Sequence, residues 1–290
     1  MKTLKHIQEF IRALFSSFMS LFKTLISSRP VSKLPSKLND SCVILGNGPS
    51  LETSIQAAKQ TLTTSDLICV NFFPLTHLFE ELKPRFFVSC DSVFWDKRVS
   101  QDLVQRSEQM FDRINEKVDW EFYLFMPRTA KNKGDWQKRI AANKNITIVY
   151  YNLTPIEGIP AISYLLFKLK MGIPRPHNVL IPSLFHGINL TYSNIYLLGA
   201  EHSWLNEITV DQNNNVFVGH RHFYKEQQTN PQIKKNYQEN MLLHEVLHTF
   251  MTAFKGYHDL QAYSETKEVK IYNSTLGSFI DAFERKELID

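Results

Sequence analysis

The sequence predicts an α/β fold: a Rossmann-like, mainly parallel sheet with helices on both faces, a small lid and an N-terminal amphipathic helix. Three observations predict it. Short strand-forming runs alternate with helical periodicity from residue 41 onward. Those runs are apolar at consecutive positions, as strands covered on both faces must be. The first of them, Cys42–Leu45, ends in Gly46-Asn47-Gly48-Pro49-Ser50, a glycine turn that opens a helix.

Residues 1–27 come first. Leu4, Ile7, Ile11, Leu14, Phe15, Phe18, Leu21, Phe22 and Leu25 recur at three- and four-residue steps, which is one apolar stripe on a helix. Polar residues break every apolar run well before the ~18 residues of a spanning helix. The three serines within Ala13–Phe22 make a poor signal-peptide centre. A basic amphipathic helix of this kind suits an anionic membrane surface, while packing on the body or on another copy is the rival reading. Residues 28–40, with two prolines and several serines, read as a linker.

The body is residues 41–290. After the glycine turn a helix is expected over about 52–60, then strands at Leu67–Phe72, Phe86–Cys90, Trp120–Phe125 and Ile146–Tyr151. Pro160–Met171 reads as a helix ending at Gly172, and Leu180–Thr191 as a helix feeding a strand at Asn194–Leu198. Residues 205–218 lack periodicity and read as a loop within a lid of about 200–235. Lys235–Ala253 is a helix, Val269–Tyr272 the last strand, and Ser278–Phe283 the opening of a closing helix.

With 290 residues and 43% hydrophobic content, the chain can bury one large core. Its formal charge of +4 is uneven. Residues 1–38 hold Lys2, Lys5, Arg12, Lys23, Arg29, Lys33 and Lys37 against Glu9, so the rest is net acidic and no nucleic-acid face is indicated. Cys42, Cys69 and Cys90 form no CxxC pair and fall in or beside strands, as buried free thiols do.

Ligands in such sheets bind beyond the carboxyl ends of the strands. That rule selects Gly46, Asn47, Gly48 and Ser50 after the first strand, Asn71 ending the second, and Asp91 ending the third. Glycines let backbone amides approach phosphate oxygens, and Asn47 can donate to a phosphate or a ribose; a ligand-free strand-to-helix turn is the alternative. Asn71 and Asp91 also suit turns and caps. His220, in Val218-Gly219-His220-Arg221-His222, is a candidate general base and equally a loop histidine. His244-Glu245-Val246-Leu247-His248 matches the zinc-peptidase helix motif, with Glu265 or Glu268 as third ligand, but its apolar neighbours equally describe a core helix.

Five islands follow one another in a recognisable order: Gly46-Asn47-Gly48-Pro49-Ser50-Leu51, Cys69-Val70-Asn71-Phe72, Ile195-Tyr196-Leu197-Leu198-Gly199, Val218-Gly219-His220, and Lys270-Ile271-Tyr272 leading to Ser278. In these the chain resembles bacterial sialyltransferases of glycosyltransferase family 42, which have a variant GT-A fold. It also resembles the related DUF115 group, whose members include flagellin-glycosylating transferases and an archaeal pterin diphosphokinase. The resemblance implies that Asn47 and Asn71 contact a cytidine nucleotide, with Asn178 and Ser278 nearby, and that His220 is the base. Where that family has Gly-x-Asp followed by aromatic residues and two phosphate-stabilising tyrosines, this chain has Gly199-Ala200-Glu201-His202-Ser203-Trp204. His202, His222 and Tyr224 are then the residues available to hold the leaving phosphate. Asp91 fits the DUF115 pattern better.

The expected activity is inverting transfer of a sugar, sialic acid or a relative, from a nucleotide donor to a surface glycan or lipopolysaccharide. No Asp-x-Asp ends a strand, so neither a metal nor another cofactor is expected. The expected place is the cytoplasmic face of a bacterial inner membrane, held through residues 1–27, with homo-oligomerisation left open. The rivals are a nucleotide-dependent diphosphokinase, a zinc peptidase and a membrane-tethered scaffold without catalysis.

Overall fold

The computed structural model describes residues 2–31, 33–219, 234–235 and 239–289. The chain opens with α1 (Lys2–Ser27). β1 (Ser41–Leu45) leads through α2 (Leu51–Ala57) and α3 (Lys59–Thr63) to β2 (Asp66–Val70). α4 (Leu78–Leu82) precedes β3 (Phe86–Val88), α5 (Gln101–Lys117) precedes β4 (Phe122–Pro127), and α6 (Trp136–Ile140) precedes β5 (Ile146–Tyr151). α7 (Pro160–Lys168) and α8 (Leu180–Asn189) carry the chain back to β6 (Asn194–Leu198). The β7 (Ile208–Val210) and β8 (Val216–Val218) hairpin and the short pair β9 (Lys234–Lys235) and β10 (Glu239–Asn240) precede α9 (Leu243–Glu265). β11 (Lys270–Asn273) and β12 (Glu284–Arg285) complete the sheet.

The main sheet has eight strands in the order β12-β11-β6-β1-β2-β3-β4-β5, paired in parallel throughout. Alternating side chains of one strand serve two cores. Cys42 and Ile44 face a layer built by α7, α8 and α9, with Phe185, Tyr257 and Tyr263. Val43 and Leu45 face the layer of α2, α4, α5 and α6, with Phe79, Phe111 and Trp136. This is the Rossmann-like arrangement with helices on both faces. The chain moves outward from β1 to β5, then returns to add β6 on the other side of β1. The gap between the carboxyl ends of β1 and β6 is therefore the topological switch point.

Several elements differ from expectation. α5 fills a stretch assigned no element, burying Met110, Phe111 and Ile114. α9 starts at Leu243 rather than near 235 and runs on to Glu265, its first turn closed by the Leu242 amide donating to Glu245 Oε2 at 3.0 Å. The expected loop at 205–218 holds the β7–β8 hairpin, which packs Val216 and Val218 on Val246 and Phe250.

No helix follows Ser278. The backbone groups a helix would need are already bonded: the Phe279 amide donates to the Glu201 carbonyl, the Ile280 amide to Ser278 Oγ, and Asn273 Nδ2 to the Ile280 carbonyl. The segment ends instead in β12. Residues 28–40 are also tied to the body. The Arg29 amide donates to Asn152 Oδ1, and the Leu38 amide to buried Asp66. Cys42 and Cys69 are buried free thiols, and Cys90 is half-buried.

Candidate functional site

The turns after β1 and β6 touch backbone to backbone. The Gly46 amide donates to the Leu198 carbonyl and the Gly48 amide to the Gly199 carbonyl, both at 2.8 Å. A Cβ on Gly46 would stand 2.3 Å from the Gly199 oxygen. Gly199 has φ +63°, which glycine adopts without strain. The signature glycines thus serve first to let two strand ends meet.

Glu201 completes the contact. Its Oε1 accepts from the Ser50 amide at 2.7 Å, and its Oε2 lies where a Cβ on Gly48 would fall. The expectation of glycine-turn amides open to a phosphate is corrected here. Those of Gly46, Gly48 and Ser50 are all engaged within the chain, and a carboxylate already sits at the start of α2.

The same turn carries His202 in the left-handed region, φ +49°. Its ring stacks on Trp204 with centroids 4.0 Å apart, and Tyr257 Oη lies 3.1 Å from Nδ1. Tyr257 Oη also lies 3.1 Å from Asn178 Oδ1, which accepts from the Leu180 and Ile181 amides at the start of α8. These contacts assign the protons. Asn178 Oδ1 only accepts, so the tyrosine proton points to it, and His202 Nδ1 must donate to Tyr257. Burial holds the imidazole far below its usual range, at about 3. His202 is therefore neutral at physiological pH, with its lone pair on Nε2. The expected duty of donating to a leaving phosphate does not suit this tautomer; accepting from a hydroxyl does.

Asn47 is buried and braces the neighbouring strand, Nδ2 donating to the Val70 carbonyl at 3.2 Å. Asn71 follows β2 in the left-handed region, φ +53°. Asp91 is exposed beyond β3, about 10 Å from β1 by strand spacing, and accepts from the Val93 amide at 3.0 Å. Ser278 is buried and its Oγ donates to the Ala200 carbonyl at 2.7 Å, so it supports the β6 turn. The structure thus gathers Gly46, Asn47, Gly48, Ser50, Asn178, His202 and Ser278 around the switch point and places Asp91 further out. His220, His222 and Tyr224 lie outside the described residues.

Buried polar atoms without hydrogen-bond partners collect along this edge: Ser50 Oγ, Ser89 Oγ, Asn178 Nδ2, Glu201 Oε2 and Ser274 Oγ. Each lies just past a strand's carboxyl end or at the start of the following or facing helix. Buried groups of this kind are normally satisfied by protein or by ordered water.

Glu201 and Tyr257 are residues the sequence reading gave no role. Glu201 could have been found by applying the strand-end rule to the sixth strand. Tyr257 carries no local signal.

The zinc motif gains no support. His244 and His248 are exposed on α9, and Glu245 closes the helix start. Glu265 lies 17 residues beyond His248 on the same helix, about 25 Å away. Among the described residues, no three His, Cys, Asp or Glu side chains gather as a ligand set. A small cavity between α5 and α6, lined by Val93, Phe94, Trp136 and Arg139, contains no switch-point residue.

No family model and no curated protein sequence matches the chain. Among solved structures it is similar to the MAf glycosyltransferase from Magnetospirillum magneticum AMB-1, at 13% identity and a TM-score of 0.46. The match covers 90% of this chain and 35% of that protein, so the chain spans about a third of its length.

Proposed function

We propose that the protein is an inverting glycosyltransferase that takes a sugar, sialic acid or a close relative, from a CMP-type nucleotide donor. The acceptor is a surface glycan or lipopolysaccharide, and no metal holds the donor phosphate. The observation that carries this reading is the switch point itself. Buried polar atoms without hydrogen-bond partners collect along the carboxyl edge of the sheet, with Asn47 after β1 and a neutral, oriented imidazole after β6. The residue islands that resemble those of sialyltransferases point the same way.

In this reading Asn47 and Asn71 hold the nucleoside, and the diphosphate-free linkage of a CMP-sugar fits a strand end where one carboxylate already meets the start of α2. His202 Nε2 accepts a hydrogen bond from a second hydroxyl of the acceptor, beside the one that attacks. Its depressed basicity makes it an orienting group rather than the final proton holder. His220 takes the proton of the attacking hydroxyl as its oxygen bonds to the anomeric carbon and the bond from that carbon to the phosphate breaks. The nucleotide leaves with the bonding pair.

His220→Ala is expected to abolish transfer while nucleotide binding persists. A thermal-shift series with CMP, CDP, UDP, GDP and ATP tests the donor class. Stabilisation by CMP and not ATP supports the reading. Stabilisation by ATP with Mg²⁺ alone, or full transfer by His220→Ala, overturns it.

A further inference from the structure

α1 is inside out. Leu14, Phe15, Phe18, Phe22 and Leu25 are each more than half exposed, whereas Ser17, Ser20 and Thr24 are buried. The buried residues recur at helical steps, and the serines bond to the segment after β5. Ser17 Oγ accepts from the Ile159 amide at 2.7 Å. Ser20 Oγ donates to the Glu157 carbonyl and accepts from the Glu157 amide, both at 2.9 Å. Ser28, one residue past the helix, donates to Thr154 Oγ1 at 2.8 Å. Gly158, φ +121°, admits the helix; a Cβ there would meet Ser17 Oγ at 2.3 Å. A helix that folds onto its own protein by burying apolar surface does the reverse of this.

The exposed apolar residues of α1 occupy an arc of about 160° at 3.6 residues per turn. Lys5, Arg12 and Lys23 share one flank with Glu9, which leaves that flank basic. A second copy is a poor fit. A two-helix seam uses a narrower stripe, and an antiparallel pairing would bring two basic flanks together. An anionic bilayer fits both features, a broad apolar arc beside a cationic flank. Leu4–Ser27 is long and apolar enough to cross a membrane by length and composition, beyond what the interrupted runs suggested. Its serine line is nevertheless bonded along the body, which holds it flat.

The dock also fixes direction. Residues 152–159 lie at the carboxyl end of β5, the same sheet edge as the switch point, which is four strand spacings or about 19 Å across. Glu157 continues the connection inward through a two-pronged ion pair with Arg175, at 3.0 and 2.7 Å, three residues before Asn178. On the far side of the switch point Leu276 stands 84% exposed in the turn after β11.

We propose that α1 is a rigid mount for an anionic lipid bilayer, which seats the carboxyl edge of the sheet, and the switch point on it, against the membrane surface. The helix is thereby a fixed footprint rather than a tether. This rests on the geometry of α1 and stands apart from the reaction proposed at the switch point.

The test uses the full chain and vesicles alone, with no sugar donor. It should float with vesicles of phosphatidylcholine and phosphatidylglycerol, and less with phosphatidylcholine alone. Phe15→Ser with Phe18→Ser should reduce partitioning on the order of a hundredfold or more, since two phenylalanine side chains leave the lipid. Both side chains are exposed, so the melting temperature should not fall.

Direction is read with a fluorophore at Leu276→Cys or at Thr64→Cys, on the opposite sheet edge, with Cys90→Ser to prevent competing labelling. Headgroup-level quenchers should dim the first label and spare the second. The proposal fails if flotation survives the double substitution, or if both labels are quenched equally. It fails too if the protein is a dimer that Phe18→Ser dissociates while neither form binds vesicles.

Discussion

Gly46→Ala separates the two explanations of the glycine signature. A phosphate cradle needs glycine for a ligand; the structure shows glycine needed for the neighbouring turn. The new Cβ would lie 2.3 Å from the Gly199 oxygen and 2.9 Å from both the Gly199 carbon and the Leu198 oxygen. All three are backbone atoms and cannot rotate away. Ordinary contact begins near 3.4 Å, so the turns must part by roughly 1 Å. That displacement lengthens the two 2.8 Å cross-turn hydrogen bonds beyond useful range. Two lost bonds at about 1 kcal/mol each, with about 1–3 kcal/mol of overpacking, give a destabilisation of about 3–5 kcal/mol.

Urea unfolding measures the loss. The control is Gly277→Ala, where no atom lies within 4 Å and only the φ of +69° is unfavourable. It should cost about 1–2 kcal/mol. The reasoning is refuted if Gly46→Ala is as stable as the wild type yet no longer binds nucleotide. The glycine would then face a ligand and not the β6 turn.

Tyr257→Phe removes the donor to Asn178 and the acceptor for His202, and should cost about 1–3 kcal/mol. Nitrogen NMR of the imidazole should show the Nδ1–H tautomer in the wild type and lose it in the variant; a wild-type Nε2–H form would break the proton assignment. Glu201→Gln keeps the oxygen that meets the Ser50 amide and removes the charge. A phosphate about 6 Å from that carboxylate is repelled by about 3 kcal/mol at an effective dielectric of 20, so the variant should bind nucleotide at least about tenfold more tightly. Unchanged affinity by calorimetry would put the phosphate elsewhere.

His186 is buried between Phe125 and Tyr151, and burial holds it at about 3, below the value of about 6.5 it regains on unfolding. As pH falls below that unfolded value, the unfolded chain takes up a proton the folded chain refuses, so stability declines. Between pH 7 and pH 5 the decline is about 2 kcal/mol for this residue, and His186→Phe should remove that share in urea titrations at the two pH values. An identical acid decline in the variant would assign it to other groups.

Local chemistry made the frame legible. Consecutive apolar residues in Cys42–Leu45 and Asn194–Leu198 need cover on both faces, and two interleaved cores supply it. The strand-end rule then marked Asn47, Asn71 and the glycine turn, because strand direction fixes where ligands meet a parallel sheet. The periodicity of residues 4–25 also foretold α1 and its single apolar stripe.

What α1 does with that stripe was decided by contact. Its serines meet residues 154–159, more than 120 positions away, and nothing in a heptad records which face a remote loop will take. Side-chain bonds around Ser278 removed a helix that short-range pattern favoured. The approach of Glu201 to Ser50, and of Tyr257 to His202, joins segments 151 and 55 residues apart. Periodicity is a property of neighbours along the chain, whereas the charge, tautomer and access of a site are set by neighbours in space, which only packing brings together.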